Sequence, residues 1–355
     1  MKIHFEKRDK KPSKLSIFLA SLLSVLVALI FLGIIILSLG DNPLTAYWEL
    51  VSWGLGTVPG FIQSLVSMMP LLFTSLGVLI AFKMKLWNIG AEGQFQMGAF
   101  AATWGALYLF PHLTNPWLFI PLLMILGAAA GAFWGFLPGA MRAYLGVNEI
   151  LSTLMLNYVA IYWVNYLTYG PWKGPHSYNF PITAHYPQAA ILPQYGTGGL
   201  NLGIFISIVT AFFVLYLIKY TKFGFHLNIT GDNLRVGEYA GINVKKMIIL
   251  AMVIGGAISG LGGMAEISGS LFRLQPNFSP GYGYTAVIIA WLARLDPIVT
   301  IIVSFFFGVL LVGSQQLQLL MQIPSSITNA FSGILLFSLL ASEILLHYRI
   351  KWVKS

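Results

Sequence analysis

Long apolar stretches, broken at intervals by short polar clusters, dominate the chain. They run at about 15–40, 58–82, 91–110, 117–140, 148–168, 201–219, 247–268, 281–295, 298–320 and 327–346. Most approach the roughly 20 residues that a helix needs to cross a bilayer. Alternating strand patterns are absent, and backbone groups in hydrocarbon must be bonded internally, which leaves helices as the solution. The pattern predicts an all-α polytopic membrane protein of about ten transmembrane helices. The eighth run is short and lies between Pro280 and Pro297, which predicts a broken or re-entrant helix.

Composition strengthens that reading. Of 355 residues, 57% are hydrophobic and 9% charged, against about 25% charged in an ordinary soluble domain. Lipid is the solvent that accepts such a surface. The basic segment Met1–Lys14 precedes an apolar run too long for a cleaved signal, whose core is usually about 7–15 residues, so it predicts a retained first span.

The cations fix a topology. With the amino terminus inside, the ten runs place every Lys and Arg on the inner side except Lys173 and Arg273, as the positive-inside rule requires. Both termini, 1–14 and 347–355, are then cytoplasmic tails flanking a transmembrane domain at 15–346. This distribution explains the net charge of +9 without nucleic acid. Cysteine is absent, which excludes disulfides, thiolate metal sites and a cysteine nucleophile.

Two loops are long. The outer one, 169–200, is rich in Pro, Gly and aromatic residues and reads either as a docking surface for an external protein or as a connector. The inner one, 220–246, contains a short helix that Asp232 or Asn233 can cap and Gly241 can end; it reads as a contact for a cytoplasmic partner or as a helix lying on headgroups. Segments 58–168 and 247–346 each hold four runs. Their offset of five spans reverses orientation, which predicts two inverted four-helix repeats.

Catalytic signatures are missing: there is no phosphate-cradling G-x-x-x-x-G-K-[ST], no H-E-x-x-H and no G-x-S-x-G. An enzyme is not expected, nor a cofactor or metal. Polar residues inside the spans carry more information, because each must be satisfied or face water. Asn88, Glu92 and Gln96 recur at four-residue spacing in "KLWNIGAEGQFQMGAF". Glu92 either contacts a solute or binds neighbouring backbone amides and locks a bend. Glu149, Thr153, Asn157 and Asn165 form one stripe along the fifth run, flanked by Tyr158, Tyr162 and Trp163. Those rings either stack on a base or sugar, or pack as interface anchors. Glu266, in a Gly-rich seventh run, reads as a mirror of Glu92.

"NIGAEGQ" at 88–94, "NEILSTLMLNY" at 148–158 and "EYAGINVKK" at 238–246 resemble the nucleoside-type permeases of bacterial ABC importers, within the wider branched-chain amino acid, ribose and nucleoside permease family. The resemblance extends from about Leu15 to Leu346. It implies a bacterial inner-membrane subunit that translocates nucleosides, purines foremost, by alternating access. It also implies a separate cytoplasmic ATPase, a second related permease forming a heterodimer, and an extracellular solute-binding lipoprotein. The family's coupling segment maps onto Gly231, Asp232, Arg235, Gly237, Glu238, Tyr239, Ala240 and Gly241. Motif and polarity together nominate Asn88, Glu92, Gln94, Asn148, Glu149 and Asn157 as substrate-pathway residues. The competing readings are a ribose or branched-chain amino acid importer, a proton-coupled secondary transporter, and a membrane scaffold.

Overall fold

The computed structural model describes residues 2–7, residues 14–322 apart from 176 and 197, scattered positions between 326 and 341, and residues 348–353. Its helices are α1 (Lys14–Ser38), α2 (Pro43–Gly56), α3 (Val58–Lys83), α4 (Ala91–Trp104), α5 (Pro116–Leu145), α6 (Glu149–Tyr169), α7 (Leu202–Tyr220), α8 (Lys222–Asp232), α9 (Leu234–Tyr239), α10 (Val244–Glu266), α11 (Tyr282–Leu292) and α12 (Pro297–Leu320). Wider π turns extend α4 through Gly105–Leu109 and α10 through Ile267–Leu271. Among the described residues, six helices are long and apolar enough to cross a membrane, or seven if a bent pair counts as one span. The expected tenth span, 327–346, falls largely outside the described residues.

The chain forms two compact units, one of residues 1–57 with 310–355, the other Val58–Val309. In the first, the run expected as a single span at 15–40 is followed by a further helix, bent 115° from it. Asn42 starts α2 by accepting the Leu44 amide at 2.9 Å, with Pro43 as its first helical residue. Proline fits there because its missing N–H has no helical partner to lose. The terminal segments include two short strands, β1 (Lys2–Lys7) and β2 (Tyr348–Val353). They pair antiparallel, with Lys2 opposite Val353 and Lys7 opposite Tyr348.

In the second unit α10 is central and packs against α3, α4 and α5. Its glycines make this possible. A Cβ on Gly131 of α5 would lie 2.2 Å from the Gly256 carbonyl oxygen of α10, and one on Gly256 would lie 2.3 Å from that of Gly131. Without a hydrophobic drive between helices in lipid, such backbone proximity supplies the dispersion contact that holds them.

One end of this unit gathers cations. Lys85 donates to the Asp232 carbonyl at 3.2 Å, Arg142 pairs with Glu149 at 3.3 Å, and Lys245 lies 5.5 Å over the Tyr144 ring. At this end the long inner loop contains two helices, α8 and α9, rather than one. Asn233 is the cap of α9, accepting the Arg235 amide at 2.9 Å, whereas Gly231 and Asp232 belong to the last turn of α8. Gly241, at φ +74°, follows α9 in the left-handed conformation that glycine tolerates.

The segment expected as an outer loop is anchored at the other end. Thr183 and Tyr186 donate main-chain bonds to Leu274 and Phe272 at 3.0 and 2.9 Å, and Leu192 donates to Ser268 at 2.9 Å. Tyr186 is buried and donates to Thr103 Oγ1 at 2.7 Å. Burial pushes its phenol above the ordinary value, so it remains a donor at neutral pH.

Candidate functional site

The second unit interrupts two of its elements in the same manner. Between α3 and α4 the chain runs through 84–90, and between the π end of α10 and α11 it runs through 272–281. Asn88 Oδ1 accepts the Gly90 amide at 3.0 Å. Ser279 Oγ likewise accepts the Gly281 amide at 3.2 Å. Each polar side chain turns the backbone just before a helix begins.

The two helix starts meet at Glu92. One carboxyl oxygen accepts the Gly283 amide of α11 at 2.8 Å, and the other accepts Gln96 Nε2 at 3.3 Å. A Cβ on Gly283 would lie 2.1 Å from the Glu92 nitrogen, so only glycine permits the approach. The first turns of two helices thus converge on one acidic side chain, which gives their otherwise orphaned amides an acceptor.

Asn157, in the middle of α6, binds the same junction from the side. Its Oδ1 accepts the Gly93 amide at 2.8 Å, while Nδ2 donates to the Ile89 carbonyl at 2.9 Å and to the Tyr284 hydroxyl at 3.4 Å. The amides of Asn88 and Gln94 face each other in two bonds of 3.3 Å. Asn88, Glu92, Gln94 and Asn157 are all buried. Four of the six nominated pathway residues therefore form one connected cluster, with their polar atoms directed at backbone and at one another.

The remaining two lie elsewhere. Asn148 caps α6 through the Ile150 amide at 2.9 Å, and Glu149 faces Arg142 at the cationic end. Glu266, read as a mirror of Glu92, closes the helical part of α10 and accepts Ser270 Oγ at 3.4 Å; it does not open a helix as Glu92 does. Sequence reasoning missed Ser279, Gly283 and Tyr284. The signal was present: "SPGYGY" at 279–284 places a short polar residue two positions before a glycine at a helix start, as "NIGAEG" does at 88–93.

Beside the junction lies an open groove of about 760 Å³, lined by Met97, Trp134, Val159, Tyr162, Trp163 and Tyr166. Its aromatic wall continues through the edge-on pair Trp163–Phe100 to Trp172, whose ring stacks on Phe100 at 5.3 Å. Trp134 is steadied by donation to the Leu156 carbonyl at 3.2 Å. Among the described residues no group of three or more His, Cys, Asp and Glu side chains could hold a metal.

The sequence is similar along most of its length to known permeases. The chain is 33% identical over 340 residues to the glucose ABC transporter permease protein TsgB13 of Haloferax volcanii, covering 92% of this chain and 88% of that one. It is 30% identical over 305 residues to the nucleoside ABC transporter permease protein NupB of Lactococcus lactis, covering 83% of each. It is 27% identical over 335 residues to the guanosine ABC transporter permease protein NupP of Bacillus subtilis, covering 93% and 94%. The family model described as branched-chain amino acid transport system / permease component matches residues 60–340; with that match across most of its length, the chain belongs to this permease family.

Proposed function

We propose that this chain is the membrane-spanning half of an ATP-driven importer of nucleosides, purines foremost, and that it works by alternating access while a separate cytoplasmic ATPase hydrolyses the nucleotide. The observation that carries the reading is the buried junction of two helix starts at Glu92, inside a membrane permease whose relatives include ones named for nucleosides and guanosine. Discontinuous helices that meet inside a bundle are a recurrent means of placing a solute pathway within the membrane.

The same junction supports inverted repeats within a ten-span chain. Asn88, Gly90 and Glu92 stand in the same relation to α4 as Ser279, Gly281 and Gly283 do to α11, and Glu92 bonds to Gly283 itself. The cationic end then faces the cytoplasm, with both termini, and the outer loop 169–200 faces outward to receive a solute-binding lipoprotein. A second, related permease completes the channel. At the inner end α9 exposes Leu234, Val236 and Tyr239, the last at 91%, which suits docking into an ATPase cleft. Gly237 lies against Thr230, so Tyr239→Glu is the cleaner test of coupling. It should leave membrane insertion intact and reduce ATP-dependent uptake at least about tenfold, the equivalent of roughly 1.4 kcal/mol; undiminished uptake counts against the assignment.

Because the TsgB13 relative is named for glucose, sugar import is the second reading. Uptake of labelled adenosine, guanosine, uridine and glucose, with and without this chain and its ATPase, separates the two. Accumulation of glucose alone overturns the nucleoside reading. Uptake abolished by a protonophore and indifferent to the ATPase overturns the ABC mechanism.

A further inference from the structure

The exposed face of α6 is unusual for a membrane helix. Tyr158, Tyr162, Tyr166 and Tyr169 are 47%, 67%, 62% and 64% exposed and follow one another at helical spacing. At about 1.5 Å per residue they span roughly 16 Å, with Tyr158 near the middle of the 21-residue helix. Tyrosine is common at the membrane surface, where its hydroxyl reaches water. It is costly at mid-depth, where a phenol facing hydrocarbon has nothing to bond. None of the four hydroxyls has a hydrogen bond among the described residues. Trp163 and Trp134 stand beside them in the groove, and Asn165, one turn beyond Tyr162, holds a buried Oδ1 with no hydrogen-bond partner among the described residues. At its inner end the row reaches Asn157 and, through it, Tyr284 at the helix junction.

From these features we infer that the tyrosine face of α6 is the solute's route from the outer end to the junction, and that it holds the heterocyclic base of a nucleoside by stacking. The inference rests on the nucleoside reading proposed above and adds the surface that distinguishes a nucleoside from a bare sugar. A groove of this size lies in the range of about 300–1,000 Å³ typical of small-molecule sites. Its walls are flat rings, which suit a planar base with any pattern of edge groups. A succession of such rings allows the base to pass from one to the next, with no single contact strong enough to trap it. A bare sugar, by contrast, has no planar ring to lay against this wall.

The absence of native cysteine makes the test direct. Single substitutions Tyr158→Cys, Tyr162→Cys and Tyr166→Cys, with Val209→Cys on α7 for reference, are made in the full transporter in native membranes. A charged, membrane-impermeant thiosulfonate reagent should modify the α6 positions at least about tenfold faster than the α7 position, and saturating adenosine or guanosine should slow the reaction several-fold while ribose does not. Replacing Tyr162 by Ala should lower nucleoside uptake about tenfold, within the range of one lost base–aromatic stack, whereas Tyr162→Phe should retain it. Modification of the α6 positions as slow as at Val209→Cys shows the face covered by lipid or another subunit, and overturns the inference. Fast modification that nucleosides leave unchanged overturns it equally. A wild-type transporter that accumulates no nucleoside refutes the functional reading and this inference with it; nucleoside uptake unaltered by Tyr162→Ala refutes the inference alone.

Discussion

Helices α6 and α7 are nearly the same length and each buries one face in the same unit, yet they meet their surroundings in opposite ways. On α7 the exposed side chains are Phe205, Val209, Phe212 and Phe213, with Tyr216 and Tyr220 confined to the last turns. That is the profile of a helix in lipid, apolar through the middle with phenols at one interface. On α6 the phenols begin at mid-helix. The buried faces differ as well. Ser207 of α7 bonds back to its own helix, at the Ile204 carbonyl 2.7 Å away, whereas Asn157 of α6 bonds to the backbone of another element. Similar apolar length therefore conceals two functions: α7 bounds the bundle, and α6 organises its interior.

The sharpest way to break this contrast is at the buried faces. Asn157→Ala leaves the Ile89 carbonyl and the Gly93 amide unpaired inside the protein, at about 1–3 kcal/mol for each group. Thermal unfolding of the detergent-solubilised protein should register a loss of several degrees, with uptake reduced or absent. Ser207→Ala should stay within about 1 kcal/mol of wild type. Equal effects at the two positions would remove the distinction. Next in size is Glu92. Glu92→Ala leaves the buried Gly283 amide and the Gln96 side chain without their acceptor, for about 2 kcal/mol. Glu92→Gln keeps an acceptor and should lose roughly half as much, read by the same melt. A glutamine variant as impaired as the alanine variant would show that an acceptor in this place is not what holds the junction. A smaller effect is expected from Phe212→Tyr, which places a phenol on the lipid side of α7 and should cost about 1 kcal/mol or more through its unbonded hydroxyl; a neutral result would weaken the claim that the phenols of α6 do not face lipid. Smallest is Arg142→Ala. Its side chain is 36% exposed although its partner Glu149 is largely buried, so solvent screens the pair from one side and the expected loss is about 1 kcal/mol, a shift of a few degrees at most in the same melt.

Much of this architecture was legible in the chain. Apolar run lengths gave the bounds of α3, α5, α6 and α7 to within a few residues, because a bilayer imposes a length on whatever crosses it. Pro280 and Pro297 foretold a shortened α11. Other elements were hidden by the same rule. Asp41 and Asn42 just before α2, and Glu49 within it, dilute the apolar signal, and the cap at Asn42–Pro43 was the cue that hydropathy overlooked. The roles of Asn88, Glu92 and Asn157 resisted reading for a different reason. Polarity marks a residue that must be satisfied, but its partner lies as far away in sequence as Gly283 is from Glu92, and only packing brings them together. Gly283 itself is silent in the sequence, one glycine among 36.

The anchoring of the 171–201 segment has a mechanical corollary. A slack tether dissipates a push, whereas a segment stitched to 268–274 by main-chain bonds transmits it. A load applied to this segment is delivered to the far end of α10, the helix that glycine contacts hold most closely against its neighbours. Segment and helix end are therefore one mechanical piece, and a displacement of either displaces both.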